Sequence, residues 1–414
     1  MISRPILLTL LLIISMNSSA FDSRPERRKE QNPTVPAYFI VPLPYSKPGI
    51  GDGILFLGNI ANVAGSTADI SVIEVTGDAG GTIINGEEIP LYFDWLNLEF
   101  NYQNITRADV KNYSIRGMNG TAKNDYNTLE VGYSRALNAT LIFNFYQKRL
   151  NFFYSHSNND YRLDAIYDNN GVLIETLNYS GSDKQDRFAA ELDYTDDYLD
   201  PRNGLRFGLS YQDHNAANSD NAEFFTVDLQ ALAYLSMGKA DTLVFNYYQS
   251  DAHVSKKGNI DPAAIRADIA LNCAPLDSAC LQAEQELVDN FISERSNGTA
   301  SSMGGDNRLR AYPSDRFNGA HSAFLGMEYR WNITQESTPF DYFVWKDVRT
   351  GIQAAFFSEI ATVSEQSSDL WKETRYSVGA GLRLITGSGG VYRAEISTGN
   401  EGIQPIIIFE YPWK

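Results

Sequence analysis

Residues 375–386 read RYSVGAGLRLIT, and the pattern repeats every second residue. Tyr376, Val378, Ala380, Leu382 and Leu384 share one side, while Ser377, Gly379, Gly381 and Arg383 share the other. In GLRFGLSY, Leu205, Phe207, Leu209 and Tyr211 oppose Arg206, Gly208 and Ser210. In RFAAELDYTD, Phe188, Ala190, Leu192 and Tyr194 oppose Arg187, Glu191 and Asp193. A period of two belongs to a strand with one apolar and one polar face. An apolar face repeated over many strands has to be hidden. A sandwich hides it between two sheets; a closed barrel in a bilayer turns it to lipid and keeps the polar face for its lumen. Aromatic residues make up 12% of the chain and gather at strand ends, as an interfacial girdle requires. The chain closes on PIIIFEYPWK, an apolar aromatic segment. These features favour an all-β antiparallel transmembrane barrel.

The N-terminus fits export into such a membrane. Ile6–Met16 is apolar except for Thr9 and Ser15, and Ser18-Ser19-Ala20 follows as a small-residue cleavage site. A signal peptide is therefore expected over 1–20, a short polar periplasmic leader over 21–48, and the barrel over 49–414. No later run is long and apolar enough for a spanning helix. The alternation predicts sixteen strands, at about 53–63, 68–75, 92–101, 112–118, 128–136, 140–147, 150–157, 187–197, 204–214, 224–235, 242–250, 323–333, 349–361, 376–386, 391–398 and 404–413.

The longest connection is 251–322. It contains two helical patterns, DPAAIRADIALN and SACLQAEQELVDNFISE, with Asp261 and Ser278 as expected caps and Pro262 at the first helical position. Two short helices folded toward the lumen are expected there. Between them lie the chain's two cysteines, Cys273 and Cys280. An oxidising compartment and close spacing favour a disulfide over a metal pair. The four histidines, 156, 214, 253 and 321, are scattered, and no G-x-S-x-G elbow occurs. No enzyme activity, cofactor, metal or catalytic residue is expected. A net charge of −17 argues against nucleic acid.

Several later motifs together resemble a family. Leu309-Arg310-Ala311-Tyr312 resembles the VRGF/VRGY motif of the long sixth external loop in the BamA/TamA-type outer-membrane barrel superfamily, also called the bacterial surface antigen family. GMEYRW resembles its strand twelve, DPRNG its turn between strands eight and nine, and VGAGLRL with VYRAEIS its strands fourteen and fifteen. The opening PAYFIVPLPYSKPGIGDG resembles the first strand of members without periplasmic domains. The resemblance is clear over about 187–414.

It implies a sixteen-stranded barrel in the bacterial outer membrane that inserts or translocates proteins, or moves lipids. A passive solute channel and a structural surface antigen remain open alternatives. It implies that the sixth loop folds into the lumen, where Arg310 pairs with acidic residues of the wall. Glu328 matches the family's acidic residue on strand twelve. The family's Phe-Phe-Asp stands here as Phe356-Phe357-Ser358, so Ser358 offers a hydrogen bond without charge, and Glu359 substitutes where a bulge turns it inward. Ala311 replaces the motif glycine, Lys414 follows the terminal Trp413, and no POTRA module is recognisable. Expected partners are outer-membrane lipid and lipopolysaccharide, client outer-membrane proteins, and a periplasmic partner replacing POTRA domains. Phe409, Tyr411 and Trp413 are expected on the last strand, as girdle and assembly signal. Pro405 and Pro412 are expected to weaken its seam with the first strand.

Overall fold

The structure, a computed structural model, describes residues 35–413 except 94, 120–122, 199, 217–219, 239, 270–272, 275–276, 335–339, 343–344, 349, 387–390 and 410. The expected signal peptide and residues 21–34 of the expected leader lie outside the described residues. The strands run β1 (Ala37–Lys47), β2 (Gly51–Ala61), β3 (Asp69–Gly77), β4 (Gly80–Pro90), β5 (Leu96–Asn112), β6 (Asn127–Phe145), β7 (Leu150–Tyr167), β8 (Leu173–Asp193), β9 (Gly204–His214), β10 (Glu223–Met237), β11 (Asp241–Lys256) and β12 (His321–Asn332). A small hairpin, β13 (Phe340–Tyr342) and β14 (Trp345–Val348), precedes β15 (Thr350–Ser364), β16 (Arg375–Thr386), β17 (Val391–Gly399) and β18 (Gly402–Phe409). Among the described residues, sixteen of these strands close an antiparallel barrel, each paired with its neighbour, and β18 meets β1; β13 and β14 stand outside the count.

The period of two governs the wall. On β12, Phe324, Gly326, Glu328 and Arg330 are buried in the lumen, while Leu325, Met327 and Trp331 are exposed on the outside. On β16, Tyr376, Val378 and Leu382 face out, and Ser377 and Arg383 face in. Outer faces of this kind are stable only in lipid. β1 begins and β18 ends at the end of the barrel opposite the long β11–β12 connection, the periplasmic end by the rule that the long loops of such barrels are external. The long β11–β12 connection lies at the external end.

The total of sixteen is as expected, but its membership differs. β1 lies in the segment expected as leader, so the barrel begins at Ala37 rather than 49. Its inner face carries Phe39, Val41 and Leu43 and its outer face Tyr38 and Ile40, with Pro42 and Pro44 between, so no alternation marks it. β4 hides in GGTIINGEEIP for a different reason, since isoleucines and polar residues fall on both faces and its register with β5 shifts between Gly86 and Ile89. Residues 113–118 form a loop instead of a strand, and 128–147 is mostly one strand, β6, instead of two. β8 starts at Leu173, far ahead of the expected 187, because its first half is largely exposed and mixes apolar and polar residues on both faces. β5 to β8 reach 17 to 21 residues, whereas β17 has 9 and β18 has 8. The barrel wall is therefore tall over β5 to β8 and short at β17 and β18 beside the seam.

Candidate functional site in the barrel lumen

The sixth loop starts after Lys256. Asp261 accepts from the Ala263 amide (2.9 Å) and caps α1 (Pro262–Ile269), as expected. The second helix, α2 (Ser278–Asn297), is capped by Asp277 rather than Ser278; its carboxylate accepts from the Cys280 amide (3.1 Å). Cys273 and Cys280 are joined, with Cα atoms 5.5 Å apart. Beyond α2 the chain descends into the barrel. Met303 and Phe317 exchange backbone hydrogen bonds of 2.9 Å, and Tyr312 donates to the Leu309 carbonyl (3.1 Å) to close the tip. The positive φ of this turn falls on Leu309 (57°), so the turn does not require glycine at Ala311. Leu309, Arg310, Ala311 and Tyr312 are all buried.

Arg310 is fully buried, and three carboxylates meet it. Its Nε donates to Glu359 (2.8 Å), its Nη1 to Glu328 (3.1 Å) and Glu395 (2.9 Å), and its backbone N–H to Glu359 (2.7 Å). The guanidinium also lies 3.3 Å from the centre of the Phe357 ring. Glu328 and Glu359, both expected partners, are thus brought together on it. Ser358 is not: it faces outward, toward lipid, beside Met327. Glu359 needs no bulge, because β15 pairs with β12 and β16 without a register shift and simple alternation turns residues 357 and 359 inward.

Further arginines complete the cluster. Arg383 donates to both oxygens of Glu328 (2.7 Å each) and to Glu395 (2.6 Å). Arg330 donates to Glu328 (2.9 Å) and Arg393 to Glu395 (2.7 Å). Four buried arginines face three buried glutamates, leaving one positive charge in excess. Glu395 and its arginines were missed as partners. The available signal was the inward face of VYRAEIS, where Arg393 and Glu395 are two residues apart, with Arg383 directly opposite Arg393 on β16.

The C-terminus departs from expectation most. The strand ends at Phe409, and Tyr411 and Trp413 are buried inside the barrel instead of lying in a lipid girdle. Trp413 Nε1 donates to the Asn307 carbonyl (2.8 Å), and its ring meets Phe324 edge-on at 5.8 Å. Arg330 lies 4.5 Å from the centre of the Tyr411 ring. The Tyr411 hydroxyl donates to Asp200 in the DPRNG turn (3.4 Å). Pro412 lies beyond the strand, so it removes no donor from the seam.

Loop six also ties both flanks of the seam at the external end. Ser314 Oγ donates to the Pro48 carbonyl between β1 and β2 (3.0 Å). On the other flank, between β17 and β18, Tyr312 donates to Asn400 (3.1 Å) and Arg316 to Glu401 (2.7 Å). Farther round, Arg116 of the β5–β6 loop grips Glu365 through Nε (2.7 Å) and Nη2 (3.2 Å) and holds Thr299 and Gly298 of loop six. Burial works against the Glu365 carboxylate, but these bonds prevail and keep it below the ordinary glutamate range. A depressed value in the folded state means a contribution present at neutral pH and lost as pH falls through that lowered value. The external loops should therefore stay protected from protease through the ordinary glutamate range and open only in stronger acid.

The seam itself is thin. Among the described residues, β1 and β18 share the single pair Ser46↔Ile407, whereas β1 and β2 share eleven pairs and β17 and β18 eight. The Pro44 carbonyl accepts from Tyr392 of β17 (2.7 Å), so it points to the seam. A strand residue directs its N and its C=O to the same edge. Pro42 and Pro44 thus place two donorless nitrogens on the seam edge of β1. Pro405 adds a third on β18, where it is paired with Ile396 of β17.

Comparison with curated protein sequences gives no match. Among solved structures, the chain is similar to CdiB from Escherichia coli (TM-score 0.51, 11% identity, covering 91% of this chain and 63% of that one). It also matches BamA from Haemophilus ducreyi lacking POTRA domains 1–3 (TM-score 0.47, 10% identity, 91% of this chain and 70% of that one). The chain thus spans less than two thirds of CdiB. Residues 91–396 match the Omp85 superfamily domain, which places this barrel in the bacterial outer membrane. The chain belongs to the Omp85 superfamily.

Proposed function

We propose that this barrel acts at its own seam, assisting proteins to insert into or cross the outer membrane, with loop six held in its working position by Arg310. One observation carries this reading: among the described residues, β1 and β18 are joined by a single pair. An underpaired edge offers backbone groups to an incoming strand. β18, with 8 residues, also falls short of the roughly 9–11 that a tilted strand needs to span a bilayer. Lipid beside the seam has to thin to meet it, which lowers the cost of insertion there. The Arg310 cluster supports the reading differently. Loop six contacts the hairpins on both sides of the seam, so the lock on its tip sets how firmly they are held. The clients proposed are unfolded outer-membrane proteins, with lipid and lipopolysaccharide as the surrounding partners and a separate periplasmic protein delivering the client. No catalytic group is required.

The test is to reconstitute residues 21–414 in liposomes, add an unfolded small barrel protein and follow its folded fraction by gel mobility. Ser46→Cys with Ile407→Cys closes the seam when oxidised. Wild type should accelerate folding, the oxidised variant should not, and reduction should restore the rate. Equal rates with the seam open and closed would overturn the reading. Conductance without folding assistance would instead favour a solute channel.

A further inference from the structure

The β12–β15 connection is far more than a turn. It carries the β13–β14 hairpin, and β14 pairs antiparallel with β1 through Tyr38↔Lys346 and Phe39↔Trp345. Residues of even number on β1 direct their backbone groups to the seam, as Pro44 does. The backbone donors on that edge are therefore Tyr38, Ile40 and Ser46, because Pro42 and Pro44 supply none. β18 takes Ser46 at the external end. β14 lies at Tyr38, on the periplasmic stretch where donors remain.

We propose that β14 is an internal stand-in for a client strand, occupying the periplasmic edge of β1 until an unfolded outer-membrane protein displaces it. This rests on the seam reading above. The contact is short by construction. Asp347 has φ +55°, which turns the chain out of extended geometry directly after the paired residues, and the ladder holds two pairs. Aspartate tolerates that backbone region better than most residues. The hairpin is also internally braced, since the Asp347 amide donates to the Asp341 carboxylate (2.8 Å). A braced hairpin held by two pairs leaves as a unit, without unfolding the wall behind it. Its departure frees Tyr38, which with the neighbouring seam-directed donor Ile40 makes a contiguous donor edge at the end from which periplasmic clients arrive. Prolines beyond Ile40 then limit how far a foreign strand zips along β1, which favours its later release.

The experiment uses the full mature chain in phosphatidylcholine–phosphatidylethanolamine vesicles, with Tyr38→Cys and Lys346→Cys to lock the hairpin and Lys346→Pro to weaken it. The native cysteines are already paired with each other. The new pair should oxidise in the folded barrel. The oxidised form should lose acceleration of client folding, reduction should restore it, and Lys346→Pro should raise the rate several-fold above wild type. Failure of the new pair to oxidise, or equal acceleration when locked and reduced, would overturn the proposal while the seam reading stands. If wild type and every variant fail to accelerate folding although the pair oxidises, the seam reading falls and takes this proposal with it.

Discussion

Arg310→Met should release the tip of loop six from the lumen, and Glu359→Gln should do so less. The reason lies in who else holds each carboxylate. Without the guanidinium, Glu328 keeps Arg383 and Arg330, and Glu395 keeps Arg383 and Arg393. Among the described residues, Glu359 keeps only the backbone N–H of residue 310. A buried carboxylate stripped of its cation costs about 3–5 kcal/mol, whereas an intact buried pair gains little over an apolar substitute. Charge counting alone suggests the opposite, since losing one arginine balances the cluster at three against three; distance decides, because the surplus cations do not contact Glu359. Glu359→Gln leaves Arg310 two carboxylates and a side chain that still accepts hydrogen bonds. The double variant should therefore be less damaged than Arg310→Met, with a coupling of about 0.5–3 kcal/mol as expected for residues in contact. Ser358→Ala, altering a lipid-facing position, should match wild type. Protease cleavage within residues 257–320 in proteoliposomes reads all four. A double variant as open as Arg310→Met would sink this account.

The lock was legible because its parts sit on strands with polar inner and apolar outer faces. Glu328 and Arg330 share a face with Phe324 and Gly326, and strict alternation carries that face directly into the lumen. The same rule, applied without a bulge, reaches Glu359; matching Ser358 to the motif position of another sequence displaced the choice by one residue, and one residue reverses the face. β1 was marked by its resemblance to a family first strand but was illegible to alternation, for a physical reason. Phe39 and Leu57 form a small apolar cluster on the lumen side with Val41, Leu43 and Phe409, so both faces of the strand are apolar and no period appears. The first half of β8 fails differently, because apolar residues such as Leu173, Ile174 and Tyr179 stand among polar ones on both faces and no period marks it. The fate of the C-terminus depends on contacts with Asn307 and Asp200, remote in sequence, which local pattern cannot carry.

Trp413→Ala should loosen loop six nearly as much as loss of the arginine, although residue 413 is expected from sequence to face lipid. Its ring is 2% exposed, and removing a buried tryptophan side chain costs about 3–5 kcal/mol. The indole lies 5.3 Å from the Arg310 guanidinium and holds the loop backbone through Asn307. Its seat is shaped for it, since a Cβ at Gly326 would overlap the ring. Gly326→Ala should therefore act in the same direction while leaving every charge in place. Trp413→Phe keeps most of the ring and loses one donor, a loss of about 1 kcal/mol. Trp331→Ala serves as control, being 48% exposed on the outer wall. The measurements are protease access to loop six and single-channel conductance, both expected to rise in the order Trp331→Ala, Trp413→Phe, Trp413→Ala. If Trp413→Ala behaves like the outer-wall control, the tail merely rests in the lumen. If the order holds, the last strand and the loop lock are one mechanical unit. A pull on β18 at the seam then reaches Arg310 through four residues of chain, and opening the seam and unlocking the loop become a single event.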